Sequence, residues 1–206
     1  MRWAAGWDAS RIPARPSLRI SRARCYSCAV RAPRISPGTS STCRKAECRS
    51  TTKMEQLLEY RQHLLDRYEQ VTRQFCEAVE TAPRQKVQME AEGWDVHQIA
   101  AHTRDTEKLV YGLRVRRTLE EENPLFENFD GEAYMDEHYR ADEPLASILT
   151  ELRDTVRANV ARLRHLPSEA WTRPSRHETC GGGFTIQTWV ERGLAHIEEH
   201  LKTVTG

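Results

Sequence analysis

The sequence predicts an all-α protein, a four-helix bundle that occupies residues 54–206. Four stretches of this region place apolar side chains three and four positions apart, the spacing that lines one face of a helix. Residues that favour helix ends flank these stretches, including Pro83, Asp95, Pro144 and Thr185. No run of alternating apolar and polar residues predicts a strand.

The first predicted helix spans residues 54–81 and ends before Pro83, which cannot continue a helix. Its apolar face contains Leu57, Leu64, Tyr68, Val71, Phe75 and Ala78.

The second predicted helix begins after Asp95, because Asp95 and Gln98 are placed to form a capping box and Trp94 to pack on Ile99. Its inner face is predicted to hold Ile99, His102, Thr106, Leu109 and Leu113.

The third predicted helix covers about residues 144–166, with Pro144 in its first turn and Pro167 just after its end. Its inner face is predicted to hold Leu145, Leu149, Leu152, Val156, Asn159, Leu163 and Leu166.

The fourth predicted helix follows three glycines at 181–183, with Thr185 as its N-cap and Phe184 packed on Trp189. Its inner face is predicted to hold Ile186, Trp189, Gly193, His196 and His200.

The connections predict how these helices run. Residues 124–143 and 167–184 are long compared with the roughly 2–8 residues that join neighbouring helices of a simple bundle. His102 lies near the start of the second helix, whereas His196 and His200 lie near the end of the fourth, so these side chains meet only if the two helices are antiparallel. We therefore predict an up-down-down-up order in which residues 124–143 cross over between the second and third helices.

Residues 1–53 form a separate segment that we expect to be a disordered N-terminal extension. The segment is rich in Arg, Ser and Pro and contains twelve basic residues but only two acidic ones. The remaining 54–206 contain 19 basic and 28 acidic residues, a net charge of −9. The near-neutral total charge therefore hides a basic segment and an acidic domain.

Three interpretations of this segment are open. Its composition suits a transit-type presequence, and the spacing of Cys25, Cys28, Cys43 and Cys48 superficially resembles a four-thiolate zinc site. The third interpretation places the segment upstream of a true start at Met54, and we favour it because an amphipathic helix begins there.

Composition also excludes several classes of protein. The acidic domain argues against a nucleic-acid partner, whose binding depends on Lys and Arg contacts to phosphates. No window approaches the roughly 18 apolar residues of a membrane-spanning helix, and the N-terminus lacks the apolar core of a secretory signal. We expect a cytoplasmic protein with neither a membrane nor a nucleic acid as its partner.

Three histidines on the predicted inner faces indicate a metal site. His196 and His200 are four residues apart, so both imidazoles project from one helical face, and His102 lies within the apolar face of the second helix. Burying three polar rings without a shared partner is costly, although each alone is also compatible with an ordinary hydrogen-bonded core histidine. Three nitrogen ligands leave a coordination position open, as in catalytic sites, which favours an enzyme with a small-molecule substrate.

Other polar residues are weaker candidates for the site. Asp105, one turn after His102, is the candidate catalytic residue, a carboxylate that orients a ligand or handles a proton, or else a solvated acid. His177 is a candidate fourth ligand, and Asn159 is expected to bind a ligand or a backbone carbonyl. His97 is expected on the surface.

Two sequence motifs carry a resemblance to a known family. They are Trp94-Asp95-Val96-His97-Gln98-Ile99-Ala100-Ala101-His102 with Asp105, and Phe184-Thr185-Ile186-Gln187-Thr188-Trp189 leading into His196 and His200. Over 54–206 the chain resembles the DinB/YfiT-like superfamily of four-helix-bundle metalloproteins. The resemblance implies a divalent metal, zinc or nickel, bound by His102, His196 and His200, and a homodimer.

The same resemblance implies a function. Characterised relatives include thiol S-transferases and thiol-dependent isomerases, so a low-molecular-weight thiol is the expected co-substrate, bound as its nucleophilic thiolate. We therefore expect a metal-dependent thiol S-transferase or a related hydrolase or isomerase. The alternatives are a non-catalytic, metal-stabilised and stress-related binding protein, or a helical bundle with metal-free core histidines.

Overall fold

The computed structural model describes residues 42–83 and 93–206, with side chains from residue 52 onward. The helices are α1 (Thr42–Thr81), α2 (Val96–Thr106), α3 (Gly112–Glu120), α4 (Gly131–His138), α5 (Leu145–Arg164) and α6 (Ile186–Thr205). The strands are β1 (Leu125–Phe126), β2 (Pro174–His177) and β3 (Gly181–Thr185). A π-helical turn, Glu107–Tyr111, joins α2 to α3, so four long helices form the bundle and confirm the predicted fold class.

Helix α1 lies between α6 and α5. It is parallel to α6, since Tyr60 donates to Glu191 and, two turns later, Arg67 donates to Glu198. It is antiparallel to α5, because Arg164 near the end of α5 binds Asp66, whereas Arg153 of α5 binds Glu80 near the end of α1.

The continuous helix α2–α3 lies opposite α1 and packs on α5 and α6. It is parallel to α5, because Arg104 pairs with Glu151 and Arg162 pairs with Glu120. It is antiparallel to α6, because His102 contacts His196 near the end of α6, whereas Arg114, further along α3, lies over Trp189 near the start of α6. The bundle therefore has the predicted up-down-down-up order, and residues 121–144 run its length between α3 and α5.

The core lies between these four helices. Among its large side chains, Phe75, Ile99, Leu152, Trp189 and Ile197 are at most 1% exposed. The start of α2 confirms the predicted capping box, since the Asp95 carboxylate accepts from the Gln98 N–H and the Gln98 side chain accepts from the Asp95 N–H. Among the described residues, no helix has the length and apolar character needed to cross a membrane.

The π-helical turn changes which residues of the second predicted helix face inward. In this turn the Gly112 N–H donates to the Glu107 carbonyl, five residues earlier, instead of to the residue four positions earlier. The extra residue rotates the side chains that follow the turn about the helix axis. As a result Leu109 and Leu113 are only half-buried, whereas Val110 and Val115 are buried. The predicted inner face is therefore wrong beyond Thr106.

The first helix begins earlier than predicted. Helix α1 starts at Thr42, twelve residues before Met54, so the expectation of disorder is wrong for residues 42–53. This stretch contains neither Pro nor Gly, and nothing in it interrupts a helix. Residues 1–41, including Cys25 and Cys28 of the possible zinc site, lie outside the described residues.

A small sheet, absent from the sequence prediction, links the two long connections. Strand β1 pairs in parallel with β2, and β2 pairs antiparallel with β3. The strands have two to five residues, too few to show an alternating pattern. Gly181 and Gly183 have φ of 76° and 92°, values that glycine adopts without steric cost. The sheet fixes the segment after α3 to the segment before α6.

Candidate metal centre

The structure brings His102, His196 and His200 together. The Nε2 atom of His196 lies 3.3 Å from Nε2 of His102 and 3.0 Å from Nε2 of His200. The ligand atoms of all three lie within 4.8 Å of one another. Nitrogen ligands of a tetrahedral zinc ion, at 2.0–2.1 Å from the metal, are separated by roughly 3.3 Å. The separations of His196 from His102 and from His200 are therefore close to those of ligands to one metal ion.

Helix geometry explains this arrangement. His196 and His200 are one turn apart on α6, and their rings lie 4.4 Å apart and nearly perpendicular. The antiparallel packing of α2 on α6 places His102 opposite them. Gly131 of α4 leaves room for the His102 ring, because a Cβ atom at that position would lie 2.8 Å from Cε1 of His102.

Aromatic side chains border the cluster on two sides. The Trp94 ring lies 4.9 Å from the His102 ring, and the Tyr111 ring lies 5.5 Å from the His196 ring. His200 is buried, whereas His102 and His196 keep partial exposure. The cluster is thus shielded but remains open to solvent on one part of its surface.

The protein environment keeps the three imidazoles neutral. Burial lowers the pKa of His102 to about 3, with a further contribution from His200, and it lowers the pKa of His200 to about 4. Burial, together with His200 and His102, also lowers the pKa of His196. Because metals bind the neutral form of histidine, these side chains are ready ligands at neutral pH.

The donor set fits a divalent transition metal. Nδ1 of His196 and of His200 are buried and, within the described part of the chain, have no hydrogen-bond partner. These rings are therefore not ordinary core histidines held by protein hydrogen bonds. Three neutral imidazole nitrogens suit zinc or nickel, whereas calcium and magnesium prefer oxygen ligands.

Asp105 does not join the histidine cluster. Its carboxylate lies 2.6 Å from Nε of Arg104, which also pairs with Glu143 and Glu151 of the α5 side. Burial raises the pKa of Asp105, and Arg104 opposes this shift. None of its interactions in the described residues reaches a histidine of the cluster, so the structure places Asp105 in an ion-pair network between α2 and α5.

Two other predicted candidates also lie elsewhere. His177 on β2 is buried and its Nε2 lies 3.3 Å from Nη2 of Arg114. Asn159 on α5 lies against Gly112, where a Cβ atom would be 2.6 Å from the Asn159 amide nitrogen. The structure therefore gives neither of them a place in the histidine cluster.

The expectation that His97 is a surface residue is wrong. His97 is only 5% exposed, because residues 139–143 pack over it. Its Nε2–H donates to the Glu143 carbonyl at 2.8 Å, and Tyr139 donates to Nδ1 at 3.0 Å. Its role is to fix the end of the crossover segment to α2.

A buried carboxylic acid near the cluster was not predicted. Glu107, the first residue of the π-helical turn, is fully buried, and the Tyr68 hydroxyl donates to its Oε2 at 2.6 Å. Its Oε1 has no partner in the part of the chain that the structure describes. Burial raises the pKa of Glu107 to about 7. Glu107 follows the buried residues Ala100 and Thr103 by seven and four positions, so the regular spacing of α2 already brings it inward. Its charge, typical of a surface residue, obscured this signal.

Comparison with known proteins supports this assignment of fold. Residues 61–204 match the sequence profile of the DinB superfamily. The fold is similar to YfiT from Bacillus subtilis, described as a probable metal-dependent hydrolase with an unusual four-helix bundle topology. The TM-score is 0.62 and the identity 22%, over 71% of this chain and 85% of YfiT. No curated protein matches the chain.

Proposed function

Because this chain belongs to the DinB superfamily, we propose that it is a divalent-metal-dependent enzyme for a small-molecule substrate, with His102, His196 and His200 as metal ligands. The observation that carries the proposal is the convergence of three neutral imidazoles, with Nε2 of His196 lying 3.3 Å from that of His102 and 3.0 Å from that of His200. Three ligands leave room for a substrate group at the same ion, as catalytic sites do.

The histidines hold the ion, and the aromatic neighbours shape the space beside it. A zinc or nickel ion bound there supplies a Lewis acid that polarises a substrate oxygen or lowers the pKa of a thiol or water. Trp94 and Tyr111 exclude water from two sides and fix the rings of His102 and His196. Because His102 and His196 keep partial exposure, a substrate would approach the site beside these two histidines.

We propose two reactions for this site, hydrolysis and transfer of a low-molecular-weight thiol. The description of YfiT as a probable metal-dependent hydrolase supports the first, and the open position, which suits a thiolate, supports the second. A cytoplasmic homodimer remains part of the proposal, and its oligomeric state is measurable by analytical ultracentrifugation.

Removing a ligand is the direct test of the metal site. We expect the purified protein to contain about one zinc or nickel ion per chain by plasma mass spectrometry, and His102→Ala and His196→Ala each to lose it, because two histidines bind these metals much more weakly than three. His63→Ala is the matched control, since His63 is an exposed residue of α1 that lies near Glu59. Stoichiometric metal retained in His196→Ala would refute the ligand assignment.

Turnover assays separate the two reactions. Release of p-nitrophenol from p-nitrophenyl acetate reports hydrolysis, and conjugation of 1-chloro-2,4-dinitrobenzene with cysteine reports thiol transfer. We expect at least one activity in the metal-loaded protein and its loss in His196→Ala. A protein that binds metal stoichiometrically but turns over neither substrate class would instead support the non-catalytic alternative.

One observation favours that alternative, a metal-stabilised binding protein. The ligands come from α2 and α6, so an ion would join two helices of the bundle whether or not it performed chemistry. Stability and turnover must therefore be measured on the same samples.

A further inference from the structure

Arg114 of α3 is held rigidly at the same α2–α3 and α6 boundary as the histidines. Its guanidinium lies 4.7 Å from the centre of the Trp189 ring and 5.7 Å from that of Phe126. Its Nη2 donates to the Glu127 carbonyl at 3.0 Å and contacts Nε2 of His177 at 3.3 Å. Because arginine only donates hydrogen bonds, this Nε2 accepts, and His177 is neutral and adds no negative charge.

Arg114 nevertheless has no acidic partner. Among the described residues, no carboxylate lies within ion-pair distance of its guanidinium, whereas Arg117, which lies over the same Phe126 ring at 5.1 Å, pairs with Glu121. Burial lowers the pKa of Arg114; Tyr111 opposes this shift, and the neighbouring cation Arg192 adds to it. A half-buried cation beside a second cation is costly unless an anion accompanies it.

Arg192 connects this cation to the histidine cluster. Positions 192, 196 and 200 of α6 are spaced by four and share one face of the helix, with Arg192 lying over the Phe184 ring at 5.0 Å. Four residues correspond to about 6 Å along the helix, and the seven from Trp189 to His196 to about 10 Å. Tyr111, whose ring contacts His196, lies within electrostatic range of both arginines.

We propose that Arg114 binds an oxyanion group, a carboxylate or phosphate, of the small-molecule substrate whose reacting atom lies at the histidine cluster. As a substrate subsite this inference rests on the proposed function. The Nε and Nη1 groups of Arg114 have no protein partner among the described residues, and a planar guanidinium matches an oxyanion through two parallel hydrogen bonds. The Glu178 carboxylate accepts from the Asn128 N–H at 2.6 Å and forms no ion pair with Arg114 among the described residues.

The test is anion binding by the metal-loaded protein, using succinate and inorganic phosphate as separate probes. The Trp189 indole N–H, which donates to Oγ of Ser175 at 2.8 Å, lies under the Arg114 guanidinium and gives a site-specific NMR signal. We expect a saturable shift of this signal in the wild type, about tenfold weaker binding in Arg114→Gln and wild-type binding in Arg117→Gln. The probe that binds more tightly identifies the class of oxyanion.

Arg114→Lys guards against a folding defect, because it keeps the charge but lacks the planar fork; we expect affinity between those of the wild type and Arg114→Gln, with unchanged metal content. Equal binding by Arg114→Gln, or no saturable shift in the wild type, would overturn the inference. If the wild type contains metal and binds neither anion, the inference fails alone. If the wild type binds no metal, the proposed function fails, and the role of the subsite fails with it.

Discussion

At the scale of single residues, the Glu107 side chain is a polar group whose burial opposes folding. A carboxyl group that is fully buried with one hydrogen bond is costly to ionise, and burial accordingly raises its pKa to about 7. The protein makes room for its partner Tyr68 with a glycine, since a Cβ atom on Gly193 would lie 2.1 Å from the Tyr68 hydroxyl oxygen. The absence of a side chain at Gly193 of α6 thus leaves space for the hydrogen-bonded pair of Tyr68 and Glu107.

The raised pKa predicts a pH-dependent stability. Below about pH 4.5 the carboxyl is protonated in both folded and unfolded chains, and between about 4.5 and 7 only the folded chain retains the proton. The contribution of Glu107 to the free energy of unfolding therefore falls by up to about 3 kcal/mol as pH rises through this range and is constant above it. The three histidines of the cluster, whose pKa values are lowered, contribute in the opposite direction, so the effect of Glu107 is the difference between the wild type and a variant that lacks its carboxyl. Urea unfolding at pH 5 and 7.5, with chelator present to remove metal effects, measures this contribution. We expect the pH-dependent fall in unfolding free energy that Glu107 contributes to be absent from Glu107→Gln.

The exposed-site variant Glu77→Gln is the control and should keep the wild-type pH dependence. A wild-type pH slope in Glu107→Gln would show that Glu107 is ionised in the folded chain throughout the range.

The sequence predicts the positions of single residues where the helices are regular. His102, His196 and His200 were predicted as one cluster, because four-residue spacing on α6 and antiparallel packing of α2 require only regular helices. Glu107 was not predicted because a glutamate is rarely fully buried, even though its spacing from the buried Ala100 and Thr103 is regular. The position of Arg114 without an acidic partner could not be predicted either. Its neighbours come from β1, β2 and α6 and are distant in the sequence.

At the scale of elements, the fit between α1 and α6 depends on one glycine. Gly193→Ala would place a methyl group 2.1 Å from the Tyr68 hydroxyl oxygen and 3.2 Å from Cβ of Tyr111, so the helices must separate or Tyr68 must leave Glu107. We expect a net loss of about 1–3 kcal/mol in unfolding free energy despite the better helix propensity of alanine.

Chemical denaturation measures this loss, with Gly182→Ala as the matched control. Gly182 is exposed in the β2–β3 hairpin, and a Cβ atom there would meet nothing within 4 Å. Equal stabilities of the two variants would contradict the proposed close approach of α1 and α6.

The secondary structure was predictable to the extent that each element carries its own signals. Caps at Asp95 and Thr185 and the staple of Phe184 on Trp189 are local and were confirmed. In the three-stranded sheet, β1 pairs with β2 between residues about 50 positions apart, and all three strands are too short to leave a pattern. The short helix α4 likewise depends on its packing within the crossover.

At the scale of the whole molecule, the up-down-down-up order brings histidines of α2 and α6, which are far apart in the sequence, to one site. An ion bound only by the folded chain stabilises it by about 2.7 kcal/mol at a free concentration a hundred times its Kd. For a domain of this size we expect chelation to lower the thermal midpoint by about 5–10 °C. Calorimetry with and without chelator checks this.

His196→Ala provides the comparison, because its thermal midpoint should not respond to chelator. A wild type that contains metal but melts at the same temperature after chelation would show that the ion is not linked to folding.

The 94 positions between His102 and His196 also have a consequence for how the protein is made. During synthesis α6 emerges after every other described element, and until it docks antiparallel on α2 the growing chain offers a metal only the single imidazole of His102 from this cluster. Loop-closure entropy opposes early contact between such remote segments. On the proposed ligand assignment, the complete three-histidine site therefore forms only after α6 has docked, which would make metal acquisition a late event in biogenesis.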